Sequence, residues 1–212
     1  MRCRVKVCGI TSVTDALMVG AAGADAIGLV FYPNSKRNLS ITQAAEICAA
    51  VPPFVTTVGL FLDASADFVR EVLAAVPLDI LQFHGSETPD YCRQFSRPYL
   101  KAVGMKGLAE SGGFAAYAAR FPDAQGFLVD SHAPGAAGGT GETFDWTQVP
   151  QDYPTPIILA GGLTAENVAE AIRTSRVYAV DVSSGVESAP GVKDAVKVQA
   201  FMTGVAQASV TF

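Results

Sequence analysis

Eight short apolar runs, all but the sixth followed by a stretch with helical spacing, constrain this chain more than any other feature. The strand candidates are residues 4–7, 26–31, 56–61, 80–83, 99–103, 126–129, 156–159 and 177–182. Amphipathic stretches intervene at 12–22, 41–51, 64–76, 89–95, 107–121 and 165–173, and a last one at 192–208 follows the eighth strand. The segment 131–153 reads mostly as loop. Strands alternating with helices build right-handed βαβ units and a parallel sheet. Eight of them in 212 residues is the lower end for a closed barrel. The expected fold is therefore α/β, a single (β/α)8 TIM barrel spanning 1–212 as one domain. A doubly wound open sheet is the alternative. It would want fewer strands or a dinucleotide glycine fingerprint after the first strand, and Cys8-Gly9-Ile10-Thr11-Ser12 carries none. No Pro/Gly/Ser-rich linker divides the chain.

Composition narrows the class of function. Half of the residues are hydrophobic, enough for a large core without staples, and the net charge of −5 argues against a nucleic-acid or anionic-membrane partner. No apolar run is long enough to span a bilayer. Met1-Arg2-Cys3 leads into no signal-peptide pattern, because Lys6, Asp15 and Asp25 interrupt it. Cys3, Cys8, Cys48 and Cys92 lie scattered, without the short paired spacing of a zinc site or a disulfide framework. The expectation is a cytoplasmic protein with reduced thiols.

Chemistry-bearing residues collect at the carboxyl ends of the strand candidates. The first strand delivers Cys8 onto a glycine turn, with Lys6 two residues back on the same face. An ammonium there can approach the thiol and favour the thiolate; the alternative is an inert core cysteine. An inward lysine needs a partner, and Asp181, on the strand that neighbours the first in a closed barrel, is the expected one. Gly126-Phe127-Leu128-Val129-Asp130 ends the sixth strand on a carboxylate, read as a site acid or as a cap. The loop after it carries His132 and Gly138-Gly139-Thr140-Gly141, and its closure would exclude water and raise the carboxyl pKa.

Turns at Gly161-Gly162 and Ser183-Ser184-Gly185 follow strands seven and eight, the recurring phosphate position in barrels. Arg37, after strand two, offers a guanidinium fork for a carboxylate or phosphate. The alternative for it is a solvated basic loop. His84 shares a strand face with Gln82 and reads either as a polar lining residue or as a satisfied structural histidine. Trp146 reads as a packing anchor.

Several of these strings resemble phosphoribosylanthranilate isomerase: Val5-Lys6-Val7-Cys8-Gly9-Ile10-Thr11, Leu81-Gln82-Phe83-His84-Gly85-Ser86-Glu87, Asp130-Ser131, Gly138-Gly139-Thr140-Gly141 with Phe144-Asp145-Trp146, Leu159-Ala160-Gly161-Gly162-Leu163, and Asp181-Val182-Ser183-Ser184-Gly185-Val186-Glu187. The likeness runs in family order from strand one to strand eight. It implies a cofactor-free Amadori rearrangement in tryptophan biosynthesis, acting on a small phosphosugar-anthranilate. Carried over, Asp130 is the general acid and Cys8 the general base. Arg37 matches the arginine for the anthranilate carboxylate, and Gly161, Gly162, Ser183, Ser184 and Gly185 would hold the phosphate. His84 and Asp181 join them as substrate-binding candidates. Lys36 and Asn38-Leu39 flank Arg37 where the family usually has Pro and Tyr-Val.

Other functions fit less well. The related histidine-pathway isomerase resembles a two-aspartate site, which Cys8 does not match. A phosphosugar epimerase or aldolase would want metal-ligand histidines or a strand-end lysine, and Lys101, within strand five, has no supporting signals. A phosphate-ligand sensor would keep the anion turns without turnover; the Cys8/Asp130 pair speaks against it. Monomer and homodimer both remain open.

Overall fold

Both faces of a barrel strand are covered, so the period-two alternation sorts side chains between two different cores rather than between core and solvent. In the computed structural model, which describes residues 2–131 and 144–208, eight strands follow one another around a closed parallel barrel. They are β1 (Arg4–Cys8), β2 (Ala26–Val30), β3 (Thr56–Phe61), β4 (Ile80–Phe83), β5 (Tyr99–Gly104), β6 (Gly126–Asp130), β7 (Ile157–Leu159) and β8 (Ala179–Val182). β8 closes onto β1 with Lys6 opposite Asp181. The fold is a (β/α)8 TIM barrel, and the open-sheet alternative is set aside by that closure.

One phase of each strand packs outward under the helices, where Phe31, Phe61, Phe83 and Phe127 are fully buried. The other phase fills the barrel. Val58, Leu100, Ala102, Leu128, Ile158, Ala160 and Ala179 form a separate apolar cluster. Above it, on the same phase toward the carboxyl ends, the inward positions turn polar: Lys6, Cys8, Gln82, Asp130 and Asp181 are all buried. The apolar plug supports a polar mouth.

The helices α1 (Val13–Ala21), α2 (Ile41–Ala50), α3 (Ala66–Ala75) and α4 (Pro89–Arg93) start where hydroxyl side chains accept otherwise orphaned backbone N–H groups. Ser12 accepts from Asp15, Ser65 from Phe68 and Thr88 from Tyr91, while Ser40 and Gln43 cap each other reciprocally. Three expectations are corrected further along. The helix expected over 107–121 is broken into a 3-10 turn (Leu108–Ser111) and a short α5 (Gly113–Ala118), because Gly112 and Gly113 both take left-handed φ values of 94° and 79°. The helix expected from 165 begins later as α6 (Val168–Ser175), after a turn in which Asn167 accepts from the Thr164 N–H and donates to the Gly162 carbonyl. The last helix, α7 (Ala195–Gln207), starts only after Asp194 caps it. The two residues before that cap, β10 (Val192–Lys193), instead pair antiparallel with β9 (Glu187–Ala189). Between β6 and β7 the described residues hold a 3-10 turn (Trp146–Gln148) in an otherwise irregular stretch.

Lys101 belongs to the outer phase of β5. Its ammonium donates to the Phe83 and Gly85 carbonyls at 3.1 and 2.6 Å and to Glu87 at 3.0 Å. With its three donors used, it pins the turn after β4 and is not a site amine. Among the described residues no helix is long and apolar enough to cross a membrane.

Candidate active site

The strand ends converge on a cavity of about 260 Å³ at the carboxyl mouth of the barrel, lined among others by Cys8, Arg37, Gln82, His84, Asp130, Asp181 and Ser183. A smaller cavity of about 60 Å³ adjoins it and is lined by Asp130, Gly161, Gly162, Asp181, Ser183, Ser184 and Gly185, with their neighbours on β7 and β8. Every expected site residue therefore lines one or both cavities. Asp130, Asp181 and Ser183 line both. The glycine loop at 138–141 and His132 lie outside the described residues.

Cys8 and Lys6 share the inward face of β1, and the register explains how they fit. Cys8 stands opposite Gly28 on β2. A Cβ at Gly28 would come within 2.7 Å of the Cys8 sulfur and 3.1 Å of the Lys6 ammonium, so this glycine leaves the room that the thiol and amine occupy. The Lys6 Nζ donates to Asp181 Oδ1 at 2.9 Å, both side chains being nearly sealed from water. The expected Lys6–Asp181 ion pair is present. Burial alone would push Lys6 down, but the Asp181 carboxylate, with help from the Cys8 side, holds it above its ordinary value. Burial pushes the Asp181 carboxyl up, with Lys6 opposing.

Lys6 does favour the Cys8 thiolate, as expected, but burial acts more strongly. Burial raises the thiol above its ordinary value of 9.0, and the lowering by Lys6 and Lys193 does not overcome it. The desolvation penalty on a sealed thiolate outweighs the attraction of an ammonium already committed to Asp181.

Asp130 ends β6, where its Oδ1 accepts from the Ser131 N–H at 2.7 Å and the Ser131 hydroxyl at 3.3 Å. Its Oδ2 stands 4.0 Å from His84 Nε2. The other ring nitrogen of His84, Nδ1, lies 3.1 Å from Gln82 Nε2, which ties the ring to its neighbour on the same strand face. Across the smaller cavity, Gly161 and Gly162 take φ values of 90° and 61°. A Cβ on Gly161 would lie 2.8 Å from Asp130 Oδ1. Glycine is therefore needed there both for its backbone conformation and for the close approach of the acid.

Arg37 is present at the rim as expected, with one edge of its fork already engaged. Its Nε and Nη2 donate to the two oxygens of Glu187, each at 2.7 Å. Glu187 Oε1 also accepts from Lys193 Nζ at 2.7 Å. Sequence reasoning assigned Glu187 and Lys193 no role. The signal was faint: two charged residues six apart around a Pro-Gly turn, whose pairing requires the β9–β10 hairpin. Gly28 went unnoticed for a similar reason, since only the β1–β2 register sets it against Cys8.

Comparison with known proteins identifies the family. A family profile described as N-(5'phosphoribosyl)anthranilate (PRA) isomerase matches residues 5–204. The N-(5'-phosphoribosyl)anthranilate isomerase of Cellvibrio japonicus is 54% identical over 205 residues, covering 97% of this chain and 94% of the relative. This chain belongs to the phosphoribosylanthranilate isomerase family. The family's Thermotoga maritima crystal structure superposes with a TM-score of 0.87 at 39% identity, covering 96% of this chain and 98% of that one. A second phosphoribosylanthranilate isomerase structure, a complex with reduced 1-(o-carboxyphenylamino)-1-deoxyribulose 5-phosphate, has a TM-score of 0.84 at 37% identity with the same coverage. The isomerase family likeness thus includes every strand end that contributes to the two cavities.

Proposed function

We infer that this chain is the isomerase of tryptophan biosynthesis that converts N-(5-phosphoribosyl)anthranilate to 1-(2-carboxyphenylamino)-1-deoxy-D-ribulose 5-phosphate by an Amadori rearrangement. The observation that carries the mechanism is that Cys8 and Asp130, 122 positions apart in sequence (130 minus 8), line one cavity. Asp130, as a carboxylic acid, gives its proton to the furanose ring oxygen. The C1–O bond breaks and the anilino nitrogen's lone pair forms a protonated Schiff base at C1. Cys8, as thiolate, takes the proton from C2, and the C–H electrons flow into a C1–C2 double bond as the iminium is neutralised. The enolamine then moves its C2 hydroxyl proton to C1 through tautomerisation and leaves the ketone.

The raised thiol pKa suits this order. The iminium cation formed at ring opening favours the thiolate, and the thiol proton passes to the Asp130 carboxylate that the first step leaves in the same cavity. Positioned acid and base groups each contribute about 10²- to 10⁴-fold, and the rearrangement needs only proton transfers.

The remaining lining divides between the two ends of the substrate. The turns at Gly161-Gly162 and Ser183-Ser184-Gly185 receive the phosphate in the smaller cavity. Arg37 receives the anthranilate carboxylate at the rim of the larger one. His84 and Asp181 line the ribose between them, and Asp181 also keeps Lys6 charged. Residues 1–212 act as one catalytic domain in the cytoplasm, on a small molecule rather than a nucleic acid or membrane, as a monomer or homodimer.

The test is a fluorescence assay following consumption of freshly generated phosphoribosylanthranilate. Cys8→Ala and Asp130→Asn should each lower kcat by at least about 100-fold while the circular dichroism spectrum is kept. Turnover near the wild-type rate in either variant would remove the acid–base assignment.

A further inference from the structure

Arg37 poses an electrostatic problem for the reading that it binds the substrate's carboxylate. A guanidinium paired side-on with a glutamate is neutralised, and the glutamate repels a second carboxylate. The buried surroundings of Arg37 supply a resolution. Lys193, whose side chain is fully sealed, donates to the same Glu187 and also to the Cys8 carbonyl at 2.7 Å and the Ser183 carbonyl at 3.3 Å. Its three donors are thereby used. Arg37, Glu187 and Lys193 together carry +1, −1 and +1, a net single positive charge.

The geometry of the pair matters as much as the charge. Glu187 takes Nε and one Nη2 hydrogen. A guanidinium has five N–H donors, and among the described residues no acceptor takes the end-on edge formed by Nη1 and the second Nη2 hydrogen, an edge that fits another two-oxygen acceptor. The stem of Arg37 lies over Gly9, where any Cβ would collide with Arg37 Cδ, and this fixes the approach of the side chain. Burial would push Glu187 up, yet Arg37 and Lys193 hold it below the usual glutamate range; burial lowers Lys193, with Glu187 opposing. Further charges border it: Lys197 donates to the Glu187 carbonyl at 2.7 Å, and Asp15 accepts from the Lys193 backbone N–H at 3.1 Å.

We propose that Glu187 and Lys193 are positioning residues for Arg37, forming with it a buried unit of net charge +1 that presents the end-on edge of the guanidinium to the carboxylate of the substrate's aromatic ring. Lys193 also fastens this unit to the ends of β1 and β8 through the Cys8 and Ser183 carbonyls. The proposal rests on the reading of Arg37 given above.

The experiment compares two ligands by calorimetry: reduced 1-(o-carboxyphenylamino)-1-deoxyribulose 5-phosphate and its counterpart without the ring carboxylate. In the wild type, loss of the carboxylate should weaken binding about 10- to 100-fold. Arg37→Ala, Lys193→Met and Glu187→Gln should each reduce that ratio to about threefold or less, with the carboxylate-free ligand bound within about threefold of wild type. Glu187→Gln raises the net charge of the unit to +2, so a ratio that grows there would show charge without positioning and overturn the proposal. Equal weakening of both ligands would reduce Glu187 and Lys193 to a general role in folding, and also overturn it. A ratio lost in Arg37→Ala but intact in the other two would leave the reading of Arg37 standing and sink the proposal alone. A wild-type ratio near one would remove both. Should Lys193→Met fail to fold, Glu187→Gln, which keeps the volume of the side chain, carries the comparison.

Discussion

Lys6→Met isolates the energetics of the barrel's polar interior. The substitution keeps most of the side-chain volume and deletes the ammonium that stands 2.9 Å from Asp181. With side-chain exposures of 6% and 10%, neither partner has water as a substitute, and removing one member of such a pair costs about 3–5 kcal/mol. Asp181 can escape only by taking a proton. Its folded pKa is already raised by burial, and loss of the opposing Lys6 raises it further. A carboxyl whose pKa is raised in the folded state binds more protons there than in the unfolded chain, so the penalty grows as pH rises and fades as pH falls toward the ordinary aspartate range.

Urea unfolding at pH 7 reads the effect. With a slope of about 2 kcal/mol per molar, the midpoint should drop by roughly 2 M, and by clearly less near pH 4. The double variant Lys6→Met/Asp181→Leu removes the stranded charge and should return to within about 1 kcal/mol of wild type or exceed it. A single variant that loses under about 1 kcal/mol, or a double variant no better than the single, would refute the account of Lys6 as the compensating charge.

Gly185→Ala places a methyl group in overlap with the Leu163 carbonyl oxygen, forcing the turns after β7 and β8 apart. KM should rise at least about tenfold with a smaller change in kcat, and inorganic phosphate should lose potency as a competitor. Unchanged phosphate inhibition would contradict the assignment of these turns. Because the Cys8 thiol is held above 9.0, its alkylation by iodoacetamide, followed by peptide mass spectrometry, should still be accelerating past pH 9; a plateau by about pH 8 would show a thiolate already formed. Glu187, held below its ordinary 4.5 by Arg37 and Lys193, contributes stability that is complete above that value and lost as pH falls through the lower folded pKa. The stability advantage of wild type over Glu187→Gln should therefore shrink between about pH 5 and pH 3, and a constant gap in urea midpoints would argue otherwise.

Much of the architecture was legible because its signals are local. Strand signals depend on residues within a few positions of one another, and the eight observed strands begin and end within two residues of their expected bounds. The helix over 107–121 misled because its apolar spacing outweighs, on paper, two adjacent glycines that in the chain take left-handed backbone. The N-terminal turn of the final helix misled for a tertiary reason: Val192–Lys193 finds a strand partner in Glu187–Ala189 before any helix can begin.

The order of residues along this chain determined the eightfold strand–helix alternation, the strand phase that turns Lys6, Cys8, Gln82, Asp130 and Asp181 inward, and the glycines that permit tight turns. These follow from backbone stereochemistry and side-chain alternation, which act over a few residues. Closure of β8 onto β1 decided the rest. It set Lys6 against Asp181, folded Arg37 onto Glu187 from 150 positions away, and buried Cys8 so that its thiol is raised above the ordinary value. Charge interactions and desolvation depend on distance and on exclusion of water, and neither is defined until the barrel has closed.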